Sequence, residues 1–212
     1  EQDCKVVVVD NLSSGRKENL DLNNHNLEFI VGDICNYDDC LKAVSGMDYC
    51  LHQAALRSVP KSMLNPYDYN RVNIDGILNM LRASREAGIK RFVLASSSSV
   101  YGDTDVFPQK EEHLPRLISP YALTKLAGEY YCRIFSKNYA LETVSLRYFN
   151  VFGPRQALDD EYAVVIPRFI ANMLKDLPPP VHGDGRQSRD FTYIDNVVEA
   201  NILAALAPNV KC

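Results

Sequence analysis

Tyr121 and Lys125 stand four residues apart, the spacing that puts two side chains one turn apart on one face of a helix. An ammonium beside a phenol favours the phenolate and lowers a tyrosine from its usual pKa of ~10, which makes a base usable near neutral pH. Ser96, Ser97, Ser98 and Ser99 follow a strand-like run and offer a hydroxyl to such a pair, although four serines after a strand are equally ordinary loop chemistry. The Tyr-x-x-x-Lys pair is too common to decide anything alone. Its weight comes from order. Upstream lie an acid-tipped run (Asp10-Asn11-Leu12-Ser13-Ser14-Gly15), a Gly32-Asp33-Ile34 tip and a small-residue tip (His52-Gln53-Ala54-Ala55).

Positioning these residues requires alternating strands and helices. Lys5–Val9, Leu27–Val31, Asp48–His52, Arg91–Ser97 and Glu142–Tyr148 read as strands, the first as one buried on both faces because it is an unbroken β-branched run. Asp38–Val44 predicts a short helix. Pro66–Ala87 predicts a long one, with Pro in its first turn and Gly88 as its stop. Ser119 as N-cap and Pro120 as first helical residue open a second long helix to about Tyr139. Strands separated by helices mean βαβ crossovers, hence an α/β fold with a parallel sheet covered on both faces. After Gly153-Pro154 the pattern changes, and a domain boundary is placed near residue 154. Beyond it come a polar, acidic stretch at 157–161, a helix at Ile166–Leu174, a short strand at Phe191–Ile194 and a helix at Asp195–Ala207.

Ligands of a parallel sheet bind beyond the carboxyl ends of its strands. Asp10 at such a tip can accept hydrogen bonds from both adenine-ribose hydroxyls and repels a 2′-phosphate. That favours NAD over NADP, while Arg16 and Lys17 nearby keep NADP open. Asp10 and Ser13 serve equally well as helix caps. Asp33 and Ile34 suit an adenine amino group and ring face, or a simple turn. His52, ending a buried strand, reads as a core histidine. Composition narrows the classes: 212 residues with 46% hydrophobic and 24% charged side chains make a globular chain. A net charge of −4 without a basic run argues against nucleic acid or an anionic membrane surface as partner. No apolar run approaches the ~20 residues of a membrane span. The six cysteines show no CxxC or Cys/His metal spacing, so they read as free thiols of a reducing cytoplasm and no metal is expected.

The ordered set resembles the extended short-chain dehydrogenase/reductase family, specifically its NAD-dependent nucleotide-sugar epimerases and dehydratases. Ser119-Pro120-Tyr121-x-x-x-Lys125, Leu146-Arg147-Tyr148-Phe149-Asn150 and Ser188-Arg189-Asp190 extend the likeness nearly end to end. The resemblance implies a Rossmann-like doubly wound sheet over 1–154 and part of a substrate domain over 155–212. It makes Ser97, Tyr121 and Lys125 the catalytic trio. It assigns the cofactor to Asp10, Asn11, Ser13, Ser14, Gly15, Asp33, Ile34, Gln53, Ala54, Ala55, Arg57, Asn73 and Tyr148, together with Tyr121 and Lys125. Ser58, Asn150, Val165 and Arg189 join Ser97 and Tyr121 as substrate contacts, and Arg189's fork suits a diphosphate. A homodimer through the helices at 66–87 and 119–139 is implied by the same analogy.

Within that family, dehydratases and decarboxylase relatives carry acids directly after the catalytic hydroxyl. Here Ser98 and Ser99 stand instead, and hydroxyls of serine do not ionise near pH 7. The resemblance therefore implies C4 epimerisation of a UDP-sugar: Tyr121 takes the 4′-hydroxyl proton, the C4 hydride goes to NAD, and it returns to the other face of a 4-keto sugar. The stretch Ala55–Ser62 is most similar to bacterial UDP-N-acetylglucosamine/UDP-glucose 4-epimerases. UDP-glucuronate 4-epimerases, another dehydratase or reductase of the same fold, and an inactive nucleotide-binding module stay open. One departure stands out. Family members carry a strand and a glycine-rich turn about 20 residues before the acid that Asp10 matches, and these 212 residues contain neither. The chain is accordingly expected to be a piece of something longer, to lack the central strand between those at Val6 and Asp48, and alone to bind NAD poorly and turn over little.

Overall fold

The structure is a computed structural model that describes residues 4–156, 165–181, 183–208 and 210. The acidic stretch at 157–161 and Cys212 lie outside the described residues. Two compact units are present. One comprises Glu1–Arg147 with Asn201–Cys212, the other Tyr148–Ala200.

The first unit begins with strand β1 (Val6–Asp10), paired in parallel with β2 (Leu27–Val31) so that Asp10 lies opposite Val31. Helix α1 (Tyr37–Val44) follows, its N-terminus capped by the Asn36 side chain accepting from the Asp38 amide. β3 (Tyr49–His52) pairs in parallel with β4 (Arg91–Ser97), and β5 (Glu142–Tyr148) lies on the other side of β4. β1–β2 and β3–β4–β5 are two separate sheets among the described residues. β1 and β3 neither pair with each other nor bury both faces. Val6 is 47% exposed and Leu51 is 46% exposed, which corrects the expectation that the first strand is covered on both sides. A strand with a neighbour along only one edge keeps its other backbone groups within reach of water, which avoids burying them unpaired.

β4 is the most deeply placed element, with all seven residues buried. Its pleat splits the core in two. Phe92 and Leu94 pack with Ile77, Met80, Leu81, Cys132 and Phe135, whereas Val93 points to the opposite face with Val144, Ala204 and Ala205. Side chains of successive strand residues alternate sides, so helices on both faces are what a continuous apolar strand of this kind demands. This is the α/β arrangement that the strand and helix order predicts, and the Rossmann-like one that the resemblance implies. Arg91 at the start of β4 is 7% exposed. It donates to the carbonyls of Ala204, Ala205 and Ala207 and pairs with Glu142 at 2.6 Å, satisfying carbonyls at the end of the last helix (Ile194–Leu206).

The long helix expected from Pro66 is present, with a π-helical turn inside it. α2 (Val59–Leu64), unforeseen, precedes α3 (Pro66–Asn70), a π-helical turn at Arg71–Asp75, and α4 (Gly76–Glu86). Gly88, at φ +74°, ends it as expected. By contrast α5 (Pro120–Tyr139) starts and stops where its cap and proline place it, with the Ser119 hydroxyl accepting from the Ala122 amide at 3.1 Å. Gly128 lets α5 approach closely, since a Cβ there would lie 2.9 Å from Ile77 and 3.1 Å from Leu94.

The second unit holds the two-residue strands β6 (Val151–Phe152) and β7 (Thr192–Tyr193), paired in parallel, together with α6 (Val165–Met173) and the first half of α7 (Ile194–Leu206). β6 was not foreseen. The remaining three elements lie within two residues of their sequence-based bounds at either end.

Candidate active site

The carboxyl end of β4 and the first two turns of α5 bring the expected trio together. Ser97, the last residue of β4 and 8% exposed, accepts a hydrogen bond from the Ser99 amide, and its hydroxyl is near enough to the phenol of Tyr121 to favour the phenolate. Lys125 is 4% exposed and its Nζ donates to the Ala95 carbonyl at 2.8 Å. It lies 5.8 Å from the centre of the Tyr121 ring. Burial lowers the Lys125 ammonium to about 8.

Tyr121 departs from the expectation. Burial raises its pKa above the usual value, and the Ser97 hydroxyl and the Arg57 charge only partly oppose that. The Lys125 ammonium is turned toward the strand carbonyl rather than the phenol, so the helix spacing alone does not deliver a low phenol pKa.

Arg57 reaches Tyr121 because its loop is held down. Asn73, fully buried in the π-helical turn, accepts from the Leu56 amide at 2.8 Å. Its amide group donates to the Leu56 carbonyl at 3.0 Å and to Thr124 Oγ1 at 3.1 Å. The Tyr69 hydroxyl donates to the Arg57 carbonyl, and its ring meets that of Tyr121 edge-on at 6.3 Å. Ser58 sits at φ +101°, a strained conformation for a residue with a Cβ, and its hydroxyl caps α2. Asn73 therefore holds the 56–58 loop, and its polar atoms are spent on Leu56 and Thr124.

At the other strand tips, Asp10 Oδ1 accepts from the Leu12 amide at 2.6 Å, and Asn11 donates to Asp33 at 3.1 Å, linking the ends of β1 and β2. Asp33 lies below the usual carboxylate range, chiefly because the Cys35 amide donates to it and Asn11 adds a second bond. Gly15 folds back over Asp10: a Cβ there would stand 2.7 Å from the carboxylate. Ser13 and Ser14 are exposed on this loop. Ile34 is 7% exposed and packs on Gly76, so its side chain belongs to the core. Gln53 donates to Asn201 at 2.9 Å, and Ala54 and Ala55 are half-buried beside it in sequence. Carboxylates on adjacent strand tips, with glycine and serines in the connecting loop, are a donor-acceptor set that fits the adenosine half of a dinucleotide.

His52 is core, as its position predicts: it is 4% exposed, stacked on Phe92 at 5.5 Å, and pushed down to about 3 by burial and the charge of Lys125. The remaining predicted residues belong to the second unit. Asn150 donates to the Asp190 carbonyl at 2.7 Å, Arg189 is exposed and donates to the Ser188 carbonyl at 2.7 Å, and Val165 opens α6 at 46% exposure. Tyr148 is half-buried at the end of β5. Two residues beside the trio escaped the sequence reading. Glu129, a further turn along α5 from Lys125, takes the Ser96 hydroxyl at 2.5 Å and forms a two-pronged pair with Arg147 on β5, at 2.9 and 2.8 Å. The i+4, i+8 repeat from Tyr121 was the available signal.

The profile of the NAD dependent epimerase/dehydratase family matches residues 1–211, and the chain belongs to that family. Its fold and NAD dependence are those of the family. Among solved structures, it is similar to a UDP-N-acetylglucosamine 4-epimerase from Methanobrevibacter ruminantium M1 in complex with UDP-N-acetylmuramic acid. That likeness has 45% identity and a TM-score of 0.93 over 98% of this chain and 66% of that one. A UDP-glucose 4-epimerase from Thermus thermophilus, in complex with NAD, matches at 34% identity and a TM-score of 0.85, over 97% of this chain and 67% of that one. The UDP-glucose 4-epimerase of Mycolicibacterium smegmatis is 36% identical over 203 residues, 94% of this chain and 64% of its own length. The chain spans between 30% and 66% of the length of curated relatives such as this one.

Proposed function

We propose that the chain carries the reacting groups of a UDP-sugar 4-epimerase, with UDP-glucose or UDP-N-acetylglucosamine as substrate. One observation carries this reading: a phenol beside a strand-tip serine, with a buried lysine one turn behind it and no carboxylate at the two positions after that serine. NAD, when bound, supplies a hydride acceptor and donor at the sugar's C4. Asp10, Asn11 and Asp33 hold its adenosine end, and Ser13, Ser14 and Gly15 line the loop beside them.

The chain's own groups handle the proton. Tyr121 takes it from the 4′-hydroxyl, and Ser97 relays it or holds the sugar oxygen in line. Lys125, with a pKa of about 8, stays mostly protonated at pH 7 and lends the positive charge that stabilises Tyr121 as the phenolate, which becomes the phenol on taking this proton. Arg57 adds to the same field. Ser58, Asn150, Val165 and Arg189 are assigned to the substrate, Arg189 to its diphosphate, and Tyr148 to the cofactor. Ser98 and Ser99 provide no further acid, which favours a reaction that ends where its redox state began.

Self-association through α3–α4 and α5 is part of this reading. Leu123, Tyr130 and Ile134 form an exposed apolar stripe at helical spacing on α5, and Tyr67 on α3 is 89% exposed. No helix among the described residues is long and apolar enough to cross a membrane.

The test is the natural gene product incubated with UDP-glucose. UDP-galactose should appear without net NADH, and Tyr121→Phe should abolish it. Stoichiometric NADH would make the protein a reductase or dehydrogenase instead.

A further inference from the structure

Three consecutive residues at the tip of β4 are tied to three successive turns of α5. The Ala95 carbonyl takes Lys125, the Ser96 hydroxyl meets Glu129, and Ser97 meets Tyr121. Only the middle tie lies outside the reacting trio, and it is the one anchored elsewhere. Both Glu129 oxygens are gripped by Arg147, whose guanidinium lies 4.7 Å from the Tyr101 ring and donates to the Glu111 carbonyl. The two charged side chains are 13% and 16% exposed, so each needs the other: a single buried charge left without its partner is strongly destabilising.

We propose that Glu129 and Arg147 are positioning residues for the trio: Glu129 fixes the β4 tip through Ser96 in the register that sets Ser97 and Lys125 against Tyr121, and Arg147 cancels the carboxylate's charge one turn from Lys125. This rests on the functional reading only in calling the trio reactive. The groups acting on this corner are Tyr121 and Glu129 from α5 itself, His52 from β3, and Arg57, which faces Tyr121. Burial alone already holds Lys125 near 8. A carboxylate stripped of its counter-charge one helical turn away would raise it by about one pKa unit at intermediate dielectric.

The experiment is a pH titration of the Lys125 side chain by NMR on the isotope-labelled chain, which needs neither cofactor nor turnover. Arg147→Met should move the midpoint up by about one unit, Glu129→Gln should move it down, and the double variant should return it near the parent value. Midpoints that stay within about 0.2 unit of the parent in both folded single variants would overturn the charge role. Where a single variant fails to fold, the double variant leaves no unpaired buried charge and, with Ser96→Ala, decides the positioning role. In the natural gene product each should cut kcat about tenfold with KM within about twofold, and an unchanged kcat would overturn it. A protein without epimerase activity would sink the functional reading while leaving the Lys125 titration to judge the pair.

Discussion

Asn73→Ala is the perturbation whose size follows most directly from the structure. The side chain is fully buried and makes three hydrogen bonds, two to the backbone of Leu56 and one to Thr124. A hydrogen bond contributes about 1 kcal/mol net, and a buried group left without a partner costs about 1–3 kcal/mol. Leu56 is half-buried, so water can reach part of what is exposed. The expected loss is therefore about 3 kcal/mol, measured as a lower urea midpoint at unchanged m-value. The same change should loosen the start of the 56–58 loop, because the Tyr69 hydroxyl on the Arg57 carbonyl and the Ser58 cap of α2 hold only its later residues. Hydrogen exchange at the Leu56 amide should rise by the same free energy as the global loss or more. A loss below about 0.5 kcal/mol, with the Leu56 amide still protected, would refute the claim that Asn73 holds this loop.

His52 should make stability pH-dependent. Its folded pKa of about 3 lies below the ordinary 6.5, so the unfolded chain binds the proton first, and stability present above pH 6.5 is lost as pH falls toward 3. Between pH 7.5 and 5.5 the parent should lose about 1.4 kcal/mol more than His52→Leu in urea titrations, and equal losses would contradict a buried neutral imidazole. Gly102→Ala should open the loop that follows the serine run. Gly102 has φ +64°, and a Cβ there would fall 1.6 Å from the Arg116 carbonyl oxygen that receives the Asp103 amide. A cost of about 3 kcal/mol or more is expected from the left-handed conformation, the clash and the broken bridge, read as a fall in thermal midpoint of several degrees.

Much of the scaffold was legible because local chemistry and tertiary demand agree. α5 begins at Pro120 behind the Ser119 cap, and β4 is apolar enough to be buried along its whole length, so both were bounded from letters alone. The Pro66–Ala87 helix runs as expected to Glu86, but nothing in its apolar spacing shows the π-turn within it. That turn is where Asn73 reaches a loop 17 residues earlier. α2 had its own signal in Ser58 as cap and Pro60 in the first turn, masked by its brevity. β1 was overrated as a doubly covered strand because residue type reports apolarity and not the neighbour a strand acquires. The trio was found through the family resemblance that the ordered strand tips carry, while Ser96–Glu129–Arg147 was not, since its members come from three separate elements and meet only in the folded chain.

The central claim is that Tyr121 moves the proton of a UDP-sugar's 4′-hydroxyl. The most direct test is steady-state epimerisation by the natural gene product carrying Tyr121→Phe, with NAD binding measured alongside. A fall in kcat of about a hundredfold or more with NAD affinity retained is the predicted result. Parent-like turnover by the phenylalanine variant would contradict the account.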